Sequence, residues 1–200
     1  MFDDLAGQGW AQSSDQGSDI VSQEWVLNLA LQCQNLHDSG AFTQAAVGHG
    51  STKSVHTQIR GDSTLWLEDC KSPELQKGIA DFLQELQQEL NQSLFLGLKR
   101  FESHFALYPP GAGYQKHIDN HQGLSHRRIT FVLYLNEDWQ TTDGGELSLF
   151  DPQVPTQKIH SIKPHLGNLV LFRSELFPHQ VEESFKTRKS LTGWFRDDAL

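Results

Sequence analysis

Residues 108–120 read Tyr-Pro-Pro-Gly-Ala-Gly-Tyr-Gln-Lys-His-Ile-Asp-Asn, and the reading of the chain turns on them. Pro109-Pro110-Gly111 is turn chemistry, because proline presets φ and glycine accepts a positive one. The turn ends a β-rich run, 94–108. Six residues beyond Gly111, His117 and Asp119 stand two apart. On a regular strand, side chains two apart share a face. Two imidazoles and one carboxylate on one side of a metal leave three coordination positions open, the arrangement used by non-haem Fe(II) oxygenases. His179, in Phe177-Pro178-His179-Gln180, is the candidate second imidazole. It must come from a distant strand that folds back alongside.

The pair His-x-Asp carries little weight alone, since a chain with ten histidines is expected to show roughly 0.7 such matches by chance. Its neighbours add the weight. Arg188 follows His179 by nine residues, within Lys186-Thr-Arg188-Lys-Ser-Leu-Thr192-Gly-Trp194. An arginine there can project into the same cavity and grip a carboxylate through two parallel hydrogen bonds. A bland alternative stays open, in which Arg188 is a surface residue beside Lys186 and Lys189.

Outward from this segment, short β-rich runs continue at 128–136, 145–150, 157–162, 168–172 and 188–196. Asp143-Gly144-Gly145, Asp151-Pro152 and His165-Leu166-Gly167-Asn168 punctuate them. Many short strands separated by turns predict a β-sandwich or open barrel. Upstream, the apolar spacing of Ile20, Trp25, Leu29 and Leu36 predicts a helix over 20–37. Ser72-Pro73 followed by Leu75, Ile79, Phe82, Leu83, Leu86 and Leu90 predicts a second over 72–93. The expected class is α+β, one domain over 1–200, with helices buttressing a sheet. Residues 1–19, rich in Gly, Ser and Gln from position 6 on, are expected to be a flexible flank. Residues 20–93 are read as helical support with a substrate loop at 46–58, and 94–200 as the β core.

Composition excludes several classes. The 200 residues carry a formal charge of -9, a poor balance for generic nucleic-acid or anionic-membrane binding. Residues 1–52 contain six acids and no lysine or arginine, so the remainder is nearly neutral. No stretch reaches the roughly 18 apolar residues of a membrane span. The start has neither a basic region nor a long apolar run, so no secretory signal is expected. Two cysteines are too few for a disulfide scaffold, and a reducing cytosol is the expected compartment.

With these motifs in place, the chain resembles the Fe(II)- and 2-oxoglutarate-dependent dioxygenases, and more narrowly the HIF-type prolyl hydroxylases and their bacterial prolyl 4-hydroxylase relatives. The likeness runs from about Ser39 to Arg196. It rests on Ile59-Arg60-Gly61-Asp62 with Trp66, the 108–120 segment, Tyr134-Leu135-Asn136-x-Asp138-Trp139, Gly144-Gly145-Glu-Leu147, and Pro178-His179 through Arg188 to Trp194. The resemblance implies a double-stranded β-helix, or jelly-roll, core. It implies that His117, Asp119 and His179 hold Fe(II), and that Arg188 and Tyr134 bind the far carboxylate of 2-oxoglutarate. Thr192 and Tyr108 would face the cosubstrate. Arg60, Asp62 and Trp194 would contact substrate, with Asp62 paired to Arg127.

O2 and 2-oxoglutarate would be consumed, with release of succinate and CO2, and ascorbate would assist. The implied partner is a peptidyl-proline protein substrate, elongation factor Tu being one candidate, met by a monomer. Oxygen sensing is a further possibility of the class. Hydroxylation of a free amino acid or small molecule is an alternative, as is a non-catalytic metal- or peptide-binding barrel. Halogenation is disfavoured, since Asp119 fills the position a halide needs. His121 and His126 are expected to flank the pocket without ligating. His37, His49, His56, His104, His160 and His165 receive no role.

Overall fold

In the computed structural model, residues 1–13, 20–45, 59–120 and 126–199 are described. Eleven strands and three α-helices occur among them. The second helix, α2 (Gln23–Asp38), is capped by Ser22, whose hydroxyl accepts from the Trp25 amide. Its buried face is Val26, Leu29, Ala30 and Cys33, the three-four spacing of an amphipathic helix. The third, α3 (Pro73–Leu94), has Ser72 as its cap and proline at its first position, and buries Ile79, Leu83, Leu86 and Leu90. These stripes pack against the outer face of a large sheet, together with Phe105, Phe131, Leu133, Leu191 and Phe195.

The large sheet runs β1 (Trp10–Gln12), β9 (Leu169–Arg173), β6 (Arg127–Tyr134), β11 (Arg188–Arg196), β4 (Arg100–Tyr108), β3 (Ser63–Trp66), β2 (Thr43–Gln44). The smaller runs β5 (Ala112–His117), β10 (His179–Ser184), β7 (Leu147–Phe150), β8 (Lys158–Ile162). Every pairing among them is antiparallel. Val132, Tyr134, Val170 and Phe172 of the large sheet pack with Leu147, Leu149 and Ile162 of the small one. The central strands β6 and β9 are therefore covered on both faces, which explains their continuous apolar character.

The chain crosses between sheets at Pro109-Pro110-Gly111. The Ala112 amide donates to the Pro109 carbonyl, and Gly111 takes φ 85°, the positive value a type II turn requires at that position. Residues 59–61 then edge the small sheet: Gln115 donates to the Ile59 carbonyl and Gly61 to that of Gly113. The same chain joins the large sheet at β3, so it bridges the two at one side of the cavity between them.

The expected flexible flank is corrected for residues 1–13. Phe2–Gln8 is helix α1, β1 pairs with β9, and Leu5 and Ala11 are buried. The polar composition hid two core residues and one edge strand. Residues 14–19, and the proposed substrate loop at 46–58, lie outside the described residues. The expected strand over 94–108 begins only at Arg100, and α3 runs to Leu94. No helix among the described residues is long and apolar enough to cross a membrane.

Candidate metal and anion site

Strand pairing builds the metal centre. His179 opens β10 directly opposite His117, the last residue of β5. Residues 62 positions apart in sequence thus become cross-strand neighbours, with ring centroids 4.2 Å apart. Asp119 lies just past the end of β5, in a turn. His117 and Asp119 therefore do not share a strand face; the turn, not a strand, swings the carboxylate to the imidazoles. Asp119 Oδ1 is 3.5 Å from His117 Nε2, and Oδ2 is 3.6 Å from His179 Nε2. The three ligand atoms lie within 4.8 Å of one another.

Each ring is held in the form a metal needs. His117 Nδ1 lies 2.8 Å from the Gln115 carbonyl, and His179 Nδ1 lies 3.0 Å from that of Phe177. A carbonyl only accepts, so both Nδ1 atoms carry the proton and both Nε2 lone pairs point inward. Thr130 Oγ1 donates to Asp119 Oδ2 at 2.7 Å and contacts Ser174 Oγ at 2.9 Å. Burial alone would raise the Asp119 pKa. The imidazoles of His179 and His117, with the Trp194 indole, overcome it and hold the carboxyl well below its usual range. Burial, then His117, pushes His179 down to about 4. The site is thus assembled with an ionised Asp119 carboxylate and a neutral His179 imidazole at neutral pH. The specific Asn120 is explained too: fully buried, it donates from Nδ2 to the Arg127 carbonyl, and its amide donates to Ser174.

A cavity of about 730 Å³ opens beside the triad. Its floor is the inward row of β4 and β11, in which Arg188 faces Tyr108, Ser190 faces Ala106, Thr192 faces His104, and Trp194 faces Glu102. Gly193 sits on the opposite face, where a Cβ would lie 2.1 Å from the Glu102 carbonyl, so only glycine lets these strands pair so closely beside Trp194.

Arg188 is 2% exposed. Its Nε donates to the Gly145 carbonyl at 2.9 Å. Its guanidinium stands 5.1 Å from the Tyr108 ring centre and 5.0 Å from that of Tyr134. Among the described residues no carboxylate forms a salt bridge with it. The Tyr134 hydroxyl is buried with no hydrogen-bond partner among the described residues. Burial raises its pKa, with Arg188 opposing. Arg188, buried on the cavity wall with no carboxylate salt bridge among the described residues, is the candidate receptor for an external carboxylate. Thr192 lines the cavity, but its hydroxyl donates to the Phe131 carbonyl at 2.9 Å. It can therefore offer a ligand only an acceptor.

On the other flank, Arg60 binds Asp62 through Nε and Nη2 at 2.7 and 2.9 Å. The expected Asp62–Arg127 pair does not form. Arg127 instead donates to Glu102 at 2.6 Å and stacks 3.5 Å from the Trp194 ring centre. Arg60 is only two residues from Asp62, and its fork meets both carboxylate oxygens. Arg60 also lies 5.0 Å from the ring centre of Tyr114, which itself stacks on His117 at 3.8 Å. Arg60, Tyr108, Tyr114, Arg127 and Trp194 all line the cavity. A second acidic group, His126 with Asp197 and Asp198, is already tied to Arg128, Arg196 and Arg100. His126 is exposed and bound to Asp197, away from the triad; His121 lies outside the described residues.

Thr130 and Ser174 carry no signal in the sequence, and Tyr114 and Gly145 stand there only as members of motifs, without roles. Thr130 and Ser174 lie far from the motif and are recognisable only once β6 and the Asp119 turn are placed together.

Comparison with known proteins agrees with this geometry. Residues 103–196 match the 2OG-Fe(II) oxygenase superfamily. A crystal structure of a Pseudomonas putida prolyl-4-hydroxylase superposes with a TM-score of 0.84 at 38% identity, covering 98% of this chain and 97% of that one. The chain belongs to the 2OG-Fe(II) oxygenase superfamily. Within the superfamily it is also similar to a Trichoplax adhaerens prolyl hydroxylase solved with a hypoxia inducible factor oxygen degradation domain peptide (TM-score 0.80, 27% identity, 98% and 87% coverage). Egl nine homolog 1 of Rattus norvegicus is 31% identical over 188 residues, covering 90% of this chain and 54% of that protein. The chain thus spans about half the length of that relative. His117, Asp119 and His179, whose ligand atoms converge within 4.8 Å, are the residues here that could hold the iron named in the superfamily's description.

Proposed function

We propose that this chain is an Fe(II)- and 2-oxoglutarate-dependent dioxygenase that hydroxylates a prolyl residue of a protein substrate, its two sheets forming a double-stranded β-helix in one domain. The observation that carries the reading is Arg188: a buried guanidinium with no carboxylate salt bridge among the described residues, on the same cavity as the His117–Asp119–His179 triad. A metal-binding barrel without catalysis would have no use for such a receptor.

His117, Asp119 and His179 would hold Fe(II). Arg188 and Tyr134 would bind the far carboxylate of 2-oxoglutarate. When bound, iron and cosubstrate supply oxidative decarboxylation by O2, releasing succinate and CO2 and hydroxylating a C–H bond. The protein's own residues do the rest. Thr130 and the two backbone carbonyls fix the ligands. Gly145 orients Arg188. Tyr108 stands beside Arg188 on the cosubstrate side, Tyr114 and Trp194 line the cavity with aromatic rings, and Arg60–Asp62 stands at the substrate side. The prolyl hydroxylase names of the similar structures support a peptidyl-proline over a free amino acid. Ascorbate would keep the iron ferrous. Elongation factor Tu is a candidate substrate.

The test is mass spectrometry of source-cell proteins with and without this chain. Gain of one oxygen on a proline, dependent on Fe(II) and 2-oxoglutarate, supports the reading. Absence of any such product, with no 2-oxoglutarate affinity, overturns it.

A further inference from the structure

His104 is a buried polar group on the cavity wall that the reaction above leaves without work. It lies on β4, opposite Thr192 of β11 and Trp66 of β3, in the row that lines the cavity. Its ring is 4.6 Å from Trp66 and 5.6 Å from Trp194. The residue is 2% exposed, and its Nδ1 has no hydrogen-bond partner among the described residues. Leaving such an atom unpaired costs free energy, and folds tolerate it chiefly where a ligand or ordered water completes the bond. Burial, followed by the charges of Arg60 and Arg127, holds the His104 pKa down to about 3. The imidazole is therefore neutral at physiological pH, with one N–H to donate.

We propose that His104 is a positioning residue for the cosubstrate, donating a hydrogen bond to an oxygen at the metal-binding end of 2-oxoglutarate. The inference rests on the function proposed above. Arg188 lies four residues from Thr192 on β11, about 13 Å along the strand. A dicarboxylate anchored at the Arg188 guanidinium and reaching toward Asp119 runs along this inward row. Two residues beyond Thr192, Trp194 pairs across the sheet with Thr130, whose hydroxyl holds Asp119, so the His104–Thr192 pair lies between Arg188 and the metal end of the row. At neutral pH 2-oxoglutarate offers oxygen acceptors and no donor, so its partner must carry a proton. Thr192, facing His104 across the strands, has its proton committed to the Phe131 carbonyl. His104 supplies the missing donor.

The experiment measures 2-oxoglutarate affinity by calorimetry on Mn(II)-loaded protein, where no turnover occurs. His104→Met keeps the volume and removes the donor; His104→Gln restores an N–H. The expected result is binding weakened roughly 10-fold or more in the Met variant and largely regained in the Gln variant. Mn(II) affinity and unliganded Tm should not fall. Equal affinity in wild type and the Met variant overturns the assignment and makes His104 structural. A wild type that fails to bind 2-oxoglutarate instead overturns the reading beneath it. If the Met variant does not fold, nitrogen NMR of histidine-labelled, Zn(II)-loaded wild type decides. A shift of the His104 ring resonances on adding 2-oxoglutarate supports the bond, and no shift overturns it.

Discussion

Replacing Arg188 with methionine separates a receptor from a structural cation. Taking one guanidinium out of water carries an effective penalty of several kcal/mol. In the ligand-free protein three contacts oppose it. The Gly145 hydrogen bond contributes about 1.5–3 kcal/mol. The two tyrosine faces contribute about 0.5–2 kcal/mol each. These terms nearly cancel, so Arg188→Met is expected to leave the unliganded protein within about 1 kcal/mol of wild type, or roughly 2–4 °C in Tm.

With ligand the two proteins part. Saturating Mn(II)-loaded wild type with 2-oxoglutarate at about 100 times Kd adds about 2.7 kcal/mol, whereas the variant gains almost nothing. Differential scanning fluorimetry with and without 2-oxoglutarate reads both quantities. A ligand-free loss of 3–5 kcal/mol, the size seen when a buried ion pair is broken, would refute the reasoning, as would a normal 2-oxoglutarate shift in the variant.

Thr130→Val removes the hydroxyl that holds Asp119 and should weaken Fe(II) or Mn(II) binding roughly 10- to 100-fold with little change in fold; metal titration checks it. Deleting residues 1–13 uncovers the β9 edge and strips Leu5 and Ala11 from the core, so a loss of roughly 3–5 kcal/mol is expected in urea denaturation. Metal-free protein should lose stability as pH falls from about 6.5 toward 4. The unfolded chain binds protons on His104 and His179 near pH 6.5, whereas burial delays this in the folded chain to about 3 and about 4. Each contributes up to about 1.4 kcal/mol per pH unit. Denaturation at several pH values in chelator should show this slope, and His104→Met should flatten it.

The helices and the β-rich half were legible because their signals are local. Ser72-Pro73 caps a helix whatever surrounds it, and β11 carries its inward row Arg188, Ser190, Thr192 and Trp194 at strand period. Strands β5 and β10 fall outside the β-rich runs read from composition, although they bear His117 and His179, and a strand is expected there only from the ligand pattern. Polar side chains such as Gln115, Lys116, Gln180, Glu182, Glu183 and Ser184 interrupt the apolar alternation, and the pairing of the two strands is broken by register shifts. The triad was therefore legible as a motif, while its geometry was not. The Asp62 partner failed for a related reason: a two-residue separation within a bridging segment outcompeted a distant arginine already bound to Glu102. The role of the N-terminal residues depends on an edge left open by β9, which no feature of residues 1–13 announces.

The most direct measurement incubates the Fe(II)-loaded protein with 2-oxoglutarate, isotopically heavy dioxygen and extract from source cells lacking this chain, and follows both products by mass spectrometry. The account predicts one heavy oxygen in succinate and one on a prolyl residue, both lost in His179→Ala and both strongly reduced in Arg188→Met. Heavy hydroxyproline formed without 2-oxoglutarate, or undiminished in either variant, would contradict it.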